Sequence, residues 1–342
     1  MRSLSYRSKR RLKKTARTLL ILAAFLVLFV ILAVIYLGRY VVYTPDGAYL
    51  DFGRNTALQT ATVGTEPSGP EPIESVRIEY ADPNLNTETA EKVSGYYIDL
   101  EMLSDPDAVL EAVRNLSGPC TVMIDLKAKD GSFYYSTGIE DAKRADIEIA
   151  KVDRIISLLK NRGFTMVARV KSFQDSAFAL AHLKCALPID SGALWVGNGS
   201  YWLDPANETV VAYLKQIARD LAGKGFREIV FDDFYFPDSN YIRYTFDRTR
   251  SQIIGDTAND LLNFFASSNI TISFGNPRPD FALAKGSHVY VTDVTGSNVK
   301  TVMAGYAVLD DPAAQLVFLT GSKDKRFEDC QLLRPLLTKL VN

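Results

Sequence analysis

The sequence predicts an α/β fold, a (β/α)8 TIM-like barrel that is preceded by one N-terminal transmembrane helix and a linker. Short apolar runs alternate with amphipathic segments, which is typical of a parallel sheet covered by helices on both faces. Eight rough strand–helix units fall within the last ~265 residues, close to the usual size of such a barrel. No glycine-rich phosphate-binding motif follows a predicted strand, which disfavours an open nucleotide-binding sheet.

The first 37 residues predict a membrane anchor. Residues 1–18 contain eight basic residues and no acidic one, and residues 19–37 are uncharged. A helix of that length spans roughly 28 Å, which matches the hydrocarbon core of a bilayer. The basic flank is expected to stay cytoplasmic, which places the rest of this single-pass chain outside. A cleaved signal peptide is the alternative, but the apolar run is long and no small-x-small site follows it.

The region after the anchor divides into three parts. Residues 38–53 predict a short β-like segment, with two β-prone runs around a Pro-Asp-Gly turn. Residues 54–75 are rich in Thr, Pro, Gly, Ser and Glu and predict a flexible linker. Residues 76–342 are assigned to the barrel. The net charge is −1 overall, so the chain beyond residue 18 is acidic, which argues against nucleic acid as a partner.

Capping signals place the helices of the barrel. Asp105 is predicted as the N-cap of the first helix, with a proline after it, and Asp204 as the N-cap of a later one. Gly163 and Gly225 each end a helix just before a buried strand. A closing helix is predicted over 328–340. Predicted strands cover 95–100, 121–126, 165–170, 227–233, 271–275 and 288–293, with a weak one near Gly305 and the last at 315–321.

Histidine and cysteine chemistry finds little support in the sequence. The two histidines are far apart, and the three cysteines form no C-x-x-C pair. A His-rich zinc site, a Ser-His-Asp triad and a disulfide framework are therefore disfavoured. We expect no cofactor.

Carboxylates dominate the carboxyl ends of the predicted strands, where the reactive groups of this fold lie. A pair of carboxylates suits acid–base hydrolysis of an acetal. The alternation of a strand predicts that Lys127 shares a face with Asp125, and that only one of Asp232 and Asp233 faces the mouth. The polar residues at these strand ends are Asp99, Glu101, Asp125, Lys127, Arg169, Lys171, Asp232, Asp233, Asn276 and Asp293.

Four motifs resemble a family of uncharacterised glycoside hydrolase-like barrels, membrane-anchored and found largely in Gram-positive bacteria, that is distantly similar to the α-amylase clan. The run EIVFDDFYFP (228–237) is similar to the family's E-I-Q-F-D-Y-V-R-F-P at the fourth strand. Residues 123–131, 167–173 and 202–205 resemble its V-I-D-V-K-D-x-G, I-A-R-x-x-x-F and W-L-D-P motifs, and residues 40–47 resemble its Y-V-V-Y-T-x-D-G run.

The resemblance implies roles for particular residues. Asp232 matches the family's strand-four Asp and is the expected nucleophile or transition-state carboxylate. Asp125, Asp233 and Asp293 are the other catalytic candidates, and Asp125 is equally well half of a structural ion pair. The substrate-binding candidates are Lys127, Arg169, Trp202, Tyr235 and Asn276. Arg169 could equally form a salt bridge inside the barrel. Trp202 could equally be a lid over the core or a stacking platform for a sugar.

Two departures from the family pattern bear on activity. Tyr235 stands where the family has Arg, and Ile272 stands where it usually has Asp. The leading hypothesis is an extracytoplasmic hydrolase that cleaves glycosidic bonds of a cell-envelope or environmental polysaccharide with two carboxylates. The alternatives are a catalytically silent barrel that binds glycan as a scaffold, and a metal-assisted hydrolase using Asp125 and Asp232. A second carboxylate within reach of Asp232 would favour hydrolysis.

Overall fold

The computed structural model describes part of the chain, which divides into two units, Met1–Pro72 and Ile73–Asn342. The described residues are 41–44, 47–50, 93–140, 142–245, 247–277, 287–306, 309 and 311–337. The predicted anchor (19–37), its basic tip and the linker lie outside them. Within these ranges, no helix has the length and apolar character needed to cross a membrane. Val41–Thr44 pairs antiparallel with Gly47–Leu50, within the segment 38–53 that the sequence predicts to be β-like.

Eight parallel strands of the second unit close into a barrel. Each strand pairs with the next along the chain, and the last pairs with the first, which confirms the predicted TIM-like architecture. The strands are β1 (Ser94–Ile98), β2 (Thr121–Lys127), β3 (Thr165–Lys171), β4 (Glu228–Asp232), β5 (Thr271–Gly275), β6 (Val289–Val291), β7 (Leu316–Leu319) and β8 (Gln331–Pro335).

Helices lie between the strands, and their ends follow local sequence. Asp105 caps the first helix by accepting a hydrogen bond from the backbone N–H of Ala108 at 3.1 Å. Gly225 follows the fourth with a φ of 105°, a left-handed conformation that glycine adopts at little cost. The helices are α1 (Pro106–Arg114), α2 (Ile149–Asn161), α3 (Ser176–Ala181), α4 (Glu208–Lys224), α5 (Arg250–Phe265), α6 (Val299–Gly305) and α7 (Pro312–Gln315).

The helix α4 begins later than predicted. Its N-cap is Asn207, whose side-chain oxygen accepts from the backbone N–H of Thr209 at 2.9 Å. Asp204 instead accepts from the N–H of Ala206 and the hydroxyl of Tyr244, so it closes a turn ahead of the helix. The prediction that Asp204 caps this helix was therefore wrong.

The last third of the chain departs furthest from the prediction. The weak strand expected near Gly305 is the end of α6, and the segment expected to form the closing helix contains β8. A helix there would have Pro335 in its interior, where the ring lacks an N–H donor and collides with the preceding turn. As a strand, the segment pairs with both β7 and β1 and leaves neither edge open.

The interior of the barrel is apolar at mid-height and charged at the carboxyl end. Met123, Val167 and Val230 point inward and are buried. Strand alternation places the residue two positions further along each strand on the same face. Those residues are Asp125, Arg169 and Asp232. The barrel therefore brings three charged side chains from adjacent strands together above an apolar floor.

Candidate active site

Asp125 and Arg169 form a bidentate ion pair across β2 and β3. The two residues are partners in the strand register, and Nε and Nη2 of Arg169 each donate to a different carboxylate oxygen at 2.6 Å. About an eighth of each side chain is exposed. Burial raises the pKa of Asp125, and Arg169 counteracts this only in part. The pair holds the guanidinium in place, so that its Nη1 lies 3.9 Å from Asp232.

Lys171 joins the two consecutive carboxylates after β4. Its Nζ lies 2.7 Å from Oδ2 of Asp232 and 2.5 Å from Oδ2 of Asp233. Asp232 is almost completely buried, whereas about a fifth of the Asp233 side chain reaches solvent. One ammonium group thus gathers a buried and a partly exposed carboxylate into one cluster.

The backbone of Asp233 explains why both carboxylates face the mouth. The strand ends at Asp232, and Asp233 has a φ of 51°, in the left-handed region. This conformation reverses the alternation and returns the Asp233 side chain towards Lys171. The prediction that only one of the two faces the mouth was wrong, because it assumed that the extended strand continues.

Left-handed backbone recurs at this end of the barrel. Within the described ranges, four non-glycine residues have positive φ, and three of them, Asp233, Asn276 and Asp293, follow β4, β5 and β6. Such conformations cost energy and concentrate at functional sites. Their position supports the carboxyl ends of these strands as the active site.

The surroundings shift the pKa values of the two clustered carboxylates in opposite directions. Desolvation alone would raise the pKa of Asp232, but Arg169 and Lys171 outweigh it and hold that pKa below its ordinary value. Desolvation raises the pKa of Asp233, and the negative charge of Asp232 raises it further. Asp232 is therefore the anionic member of the pair, and Asp233 is the member more readily protonated.

The residues after β5 complete the setting of Asp232. The side-chain amide of Asn276 donates to Oδ1 of Asp232 at 3.2 Å, and its own oxygen accepts from the N–H of Thr292 at 3.1 Å. The neighbouring Gly275 lies so close that a Cβ on it would overlap Oδ1 of Asp232 and lie 3.0 Å from its Cα. Asn276, predicted as a substrate-binding residue, is placed in direct contact with the buried carboxylate.

Tyr97 is a mouth residue that the sequence interpretation missed. It is half-buried and packs against the apolar floor of the barrel. Burial raises its pKa, and the nearby carboxylates of Asp99 and Asp125 raise it further. The signal was available, since Tyr97 lies in the predicted strand 95–100, two residues before Asp99, and alternation along that strand would put both on one face.

Lys127 lies outside the mouth, contrary to prediction. The register of β2 shifts between Asp125 and Lys127, so the extra residue turns Lys127 to the other side of the sheet. There its fully buried ammonium group pairs with Asp175 at 2.9 Å and donates to the carbonyl of Lys171 at 2.8 Å. Because a β-bulge breaks the alternation, the structure places Lys127 in a buried ion pair and not on the face that it was predicted to share with Asp125.

Trp202 is also buried, with 1% of its surface exposed. Its indole N–H donates to the carbonyl of Gly197 at 3.0 Å, and its ring packs against Tyr235, with centroids 5.2 Å apart. It is a lid over the core rather than an open stacking platform. Tyr235 is half-buried and lies between this lid and Asp233.

Two other sequence features are Asp293, whose charge contributes to raising the pKa of Tyr97 at the mouth, and Ile272. Asp293 is exposed after β6, where its carboxylate accepts from the hydroxyl of Thr292 at 3.4 Å. Ile272 is buried in the layer between strands and helices. The departure from the family pattern at Ile272 therefore removes no charged group from the mouth.

The donor set does not suit a metal ion. Asp125 and Asp232, which a metal-assisted mechanism would need, are engaged by Arg169 and Lys171. In the part of the chain that the structure describes, no three His, Cys, Asp or Glu residues are grouped to hold a metal. His288 lies at the opposite end of the barrel against Glu228, with 3.0 Å between Nδ1 and Oε1.

Solved structures share the barrel. An α-galactosidase of family GH36 from Geobacillus stearothermophilus is 15% identical, with a TM-score of 0.52, and the match covers 74% of this chain and 41% of that chain. An α-galactosidase from Lactobacillus brevis is 11% identical, with a TM-score of 0.50 and coverages of 73% and 38%. The chain thus spans less than half the length of either enzyme, and the likeness concerns the fold. No curated protein sequence matches the chain.

Sequence comparison supplies the family. A family model described as "Putative glycosyl hydrolase domain" matches residues 97–274, which is just over half of the chain. The match runs from Tyr97 through β5 and includes the Asp125, Arg169, Lys171 and Asp232 positions. The chain belongs to this glycosyl hydrolase-like domain family.

Proposed function

We propose that the chain is a membrane-anchored hydrolase that cleaves glycosidic bonds of a cell-envelope or environmental polysaccharide outside the cytoplasm. The observation that carries the proposal is the pair of carboxylates on Lys171, one held anionic and the other more readily protonated. Glycoside hydrolysis needs these two states side by side. The anchor and the extracytoplasmic location rest on the sequence of residues 1–37.

Asp232 is the proposed nucleophile. Arg169, Lys171 and Asn276 all direct positive charge or an N–H donor at its carboxylate, which keeps it ionised and fixed. It attacks the anomeric carbon and forms an ester as the bond to the leaving oxygen breaks. The same anion stabilises the positive charge that develops on the sugar ring.

Asp233 is the proposed acid and base. It gives its proton to the leaving oxygen, then takes a proton from the water that hydrolyses the ester. Because Lys171 Nζ contacts both carboxylates, their Oδ2 atoms are at most about 5 Å apart, which is closer than the carboxyl groups of inverting enzymes. We therefore propose retention of anomeric configuration.

Asp125 serves a different purpose in this mechanism. Both of its oxygens accept from Arg169, so a proton on Asp125 would break the ion pair. We assign it the positioning of Arg169. Its removal is expected to act through Asp232 rather than through loss of a proton donor.

The experiment compares Asp232→Asn, Asp233→Asn and the control Asp260→Asn, which lies on the exposed side of α5. Release of reducing ends is measured on starch, galactomannan, glycol chitin and purified cell walls. We expect the first two variants to lose activity by a factor of roughly 10³ or more with the fold retained by circular dichroism, and the control to keep it. Full activity in Asp232→Asn, or no activity of the wild type on any of these polysaccharides, would contradict the proposal.

One observation favours a catalytically silent glycan-binding barrel as the second candidate. Asp125, Asp232 and Asp233 each already have a cationic partner. A scaffold would keep these ion pairs closed when glycan binds. It would bind a polysaccharide in an affinity gel without releasing reducing ends, and Asp232→Asn would leave that binding unchanged.

A further inference from the structure

Two long loops after β3 and β4 join into a ribbon of extended chain at the mouth end of the barrel. The N–H of Leu187 donates to the carbonyl of Trp202 at 2.8 Å, and that of Trp195 donates to the carbonyl of Leu187 at 2.7 Å. Arg243, from the second loop, donates its N–H to Pro188 at 2.8 Å. We call this ribbon, residues 186–203 and 241–243, the ledge.

The ledge is continuous with the carboxylate cluster. Gln174 forms a backbone bridge with Trp202, and its side-chain amide lies 3.4 Å from Oδ2 of Asp233. The N–H of Tyr235 donates to the carbonyl of Asp233 at 3.0 Å, and its ring packs on Trp202. A ligand that extends from Asp233 along these residues would therefore meet the ledge next.

The ledge carries exposed apolar surface. Val196 and Tyr241 expose 53% and 60% of their surfaces. Leu180, in α3, and Leu183, just after that helix, precede the ledge in the chain and are exposed to a similar degree. In the rest of the described ranges, the other exposed large apolar side chain is Phe264 on α5, with 37% of its surface exposed. Exposed apolar surface concentrated beside a site marks a binding surface.

The side chain of Trp195 is held in place on the ledge by its neighbours. It is half-buried, with its ring 5.7 Å from that of Trp202. A Cβ on Gly197 would overlap the Trp195 ring and lie 2.9 Å from Nε1 of Trp202, so the glycine lets the indole lie against the backbone. Backbone below and a second indole beside it fix the ring, which is the arrangement that a stacking surface for a sugar needs.

We propose that the ledge binds, through Trp195, the sugar units of the polysaccharide that follow those held at Asp232 and Asp233. This inference rests on the proposed function and adds the residue that holds further units of the polysaccharide, so that a chain of several sugars binds more tightly than a mono- or disaccharide. The C–H face of a pyranose packs on the indole, while the polar edges of the sugar remain in water.

The two tryptophans allow a direct test, because the chain contains no others. In an Asp232→Asn, Trp202→Phe variant, Trp195 is the sole tryptophan and reports ligand contact by its emission. The probes are the hexamer and dimer of chito-, malto-, cello- and galactomanno-oligosaccharides. We expect one hexamer to shift the emission to shorter wavelength and to bind at least about tenfold more tightly than its dimer.

Matched variants, each made in the Asp232→Asn chain, complete the experiment. Trp195→Ala is expected to weaken hexamer binding about tenfold by calorimetry, Trp195→Tyr to restore most of it, and Phe264→Ala to have no effect. Equal affinity for hexamer and dimer, no loss in Trp195→Ala, or no binding of any probe would overturn the proposal. Binding at Trp195 without hydrolysis by the wild type refutes the proposed function alone, whereas hydrolysis with an unaffected Trp195→Ala refutes the ledge alone.

Discussion

Arg169 and Lys171 lie two residues apart on β3, so the pleat of one strand directs both cations into the barrel. Between them they contact three carboxylates, Asp125, Asp232 and Asp233. Two positive charges cannot neutralise three buried negative ones, and the excess is most easily relieved by a proton on the most exposed carboxylate. That carboxylate is Asp233. Burial raises the pKa of Asp125 as well as that of Asp233, so Asp233 is preferred as the proton donor because it is more exposed and because both oxygens of Asp125 accept from Arg169.

Lys171 therefore controls the pH dependence of the site, and Lys171→Met tests this. The cation stabilises the ionised form of both clustered carboxylates, so its removal raises the pKa of Asp232 and of Asp233. Activity requires Asp232 to be ionised and is lost on the acid side as pH falls through its pKa. We expect the acid limb of kcat/KM to move to higher pH, and the alkaline limb, set by Asp233, to move with it.

The control for this prediction is Lys215→Met, a lysine on α4 that pairs with Asp260 away from the mouth. It should leave both limbs in place. A Lys171→Met profile that keeps the wild-type limbs but is lower at every pH would show that Lys171 only holds the backbone in position.

At the level of elements, hydrophobic runs and caps predict most of the barrel, because burial and capping are local properties of the sequence. The strands up to β7 and the cap at Asp105 are of this kind. The eighth strand was mistaken for a helix, since the leucines between 332 and 337 show no clear period and the pairing partner β1 is remote in sequence.

The site was predicted less well for a related reason. Asp125, Arg169 and Asp232 follow from alternation along regular strands. Lys127 and Asp233 deviate because a bulge and a left-handed residue each interrupt the alternation, and no residue type in the sequence forces either one. Trp202 was expected either as a lid over the core or as a stacking platform, and only tertiary packing decides that it is covered.

The close approach of β4 and β5 at Gly275 leads to a prediction about how these strands hold Asp232. A methyl group on Gly275 would overlap Oδ1 of Asp232, so Gly275→Ala must displace that carboxylate from Asn276 and Lys171. We expect a loss of kcat of about 10²-fold, since small displacements of reacting groups cost that much. Destabilisation by urea unfolding should be about 1–3 kcal/mol, the usual range for overpacking.

Gly223→Ala is the control, because open space surrounds its Cβ position on α4. It should keep activity and gain slightly in stability, as alanine favours a helix over glycine. Undiminished kcat in Gly275→Ala would mean that Asp232 is not held where the structure has it.

The two ends of the barrel differ in what their charged residues do. At the amino end, Glu228 accepts from Ser273 and contacts His288, a buried polar cluster closed on itself. An 850 Å³ cleft at that end is lined by Lys160, Arg219 and Arg227. Three helices end beside it, and cations there offset the negative ends of the helix dipoles. Charge at this end therefore stabilises the fold, whereas charge at the mouth remains available to a substrate.

Charge is also distributed unevenly along the whole chain. Eight basic residues precede the uncharged run 19–37, and the remainder has nine more acidic than basic residues. Basic residues beside a membrane span are retained in the cytoplasm, so the barrel is predicted to lie outside. Alkaline phosphatase fused to the C-terminus should therefore be active, because it requires the oxidising exterior for its disulfides. Green fluorescent protein fused to the C-terminus should not fluoresce, because it is exported unfolded to that side.

The same fusions on a chain whose eight basic residues are changed to glutamine test the cause. If those residues set the orientation, phosphatase activity falls and fluorescence appears in a fraction of the molecules, while the barrel itself is unaltered. Inactive phosphatase on the unchanged chain would place the barrel in the cytoplasm and exclude an extracytoplasmic polysaccharide as its substrate. An N-terminal tag distinguishes an uncleaved anchor from a removed signal peptide. On an uncleaved anchor, the tag stays with the chain in the membrane fraction after alkaline carbonate extraction. Removal of a signal peptide would separate the tag from the chain.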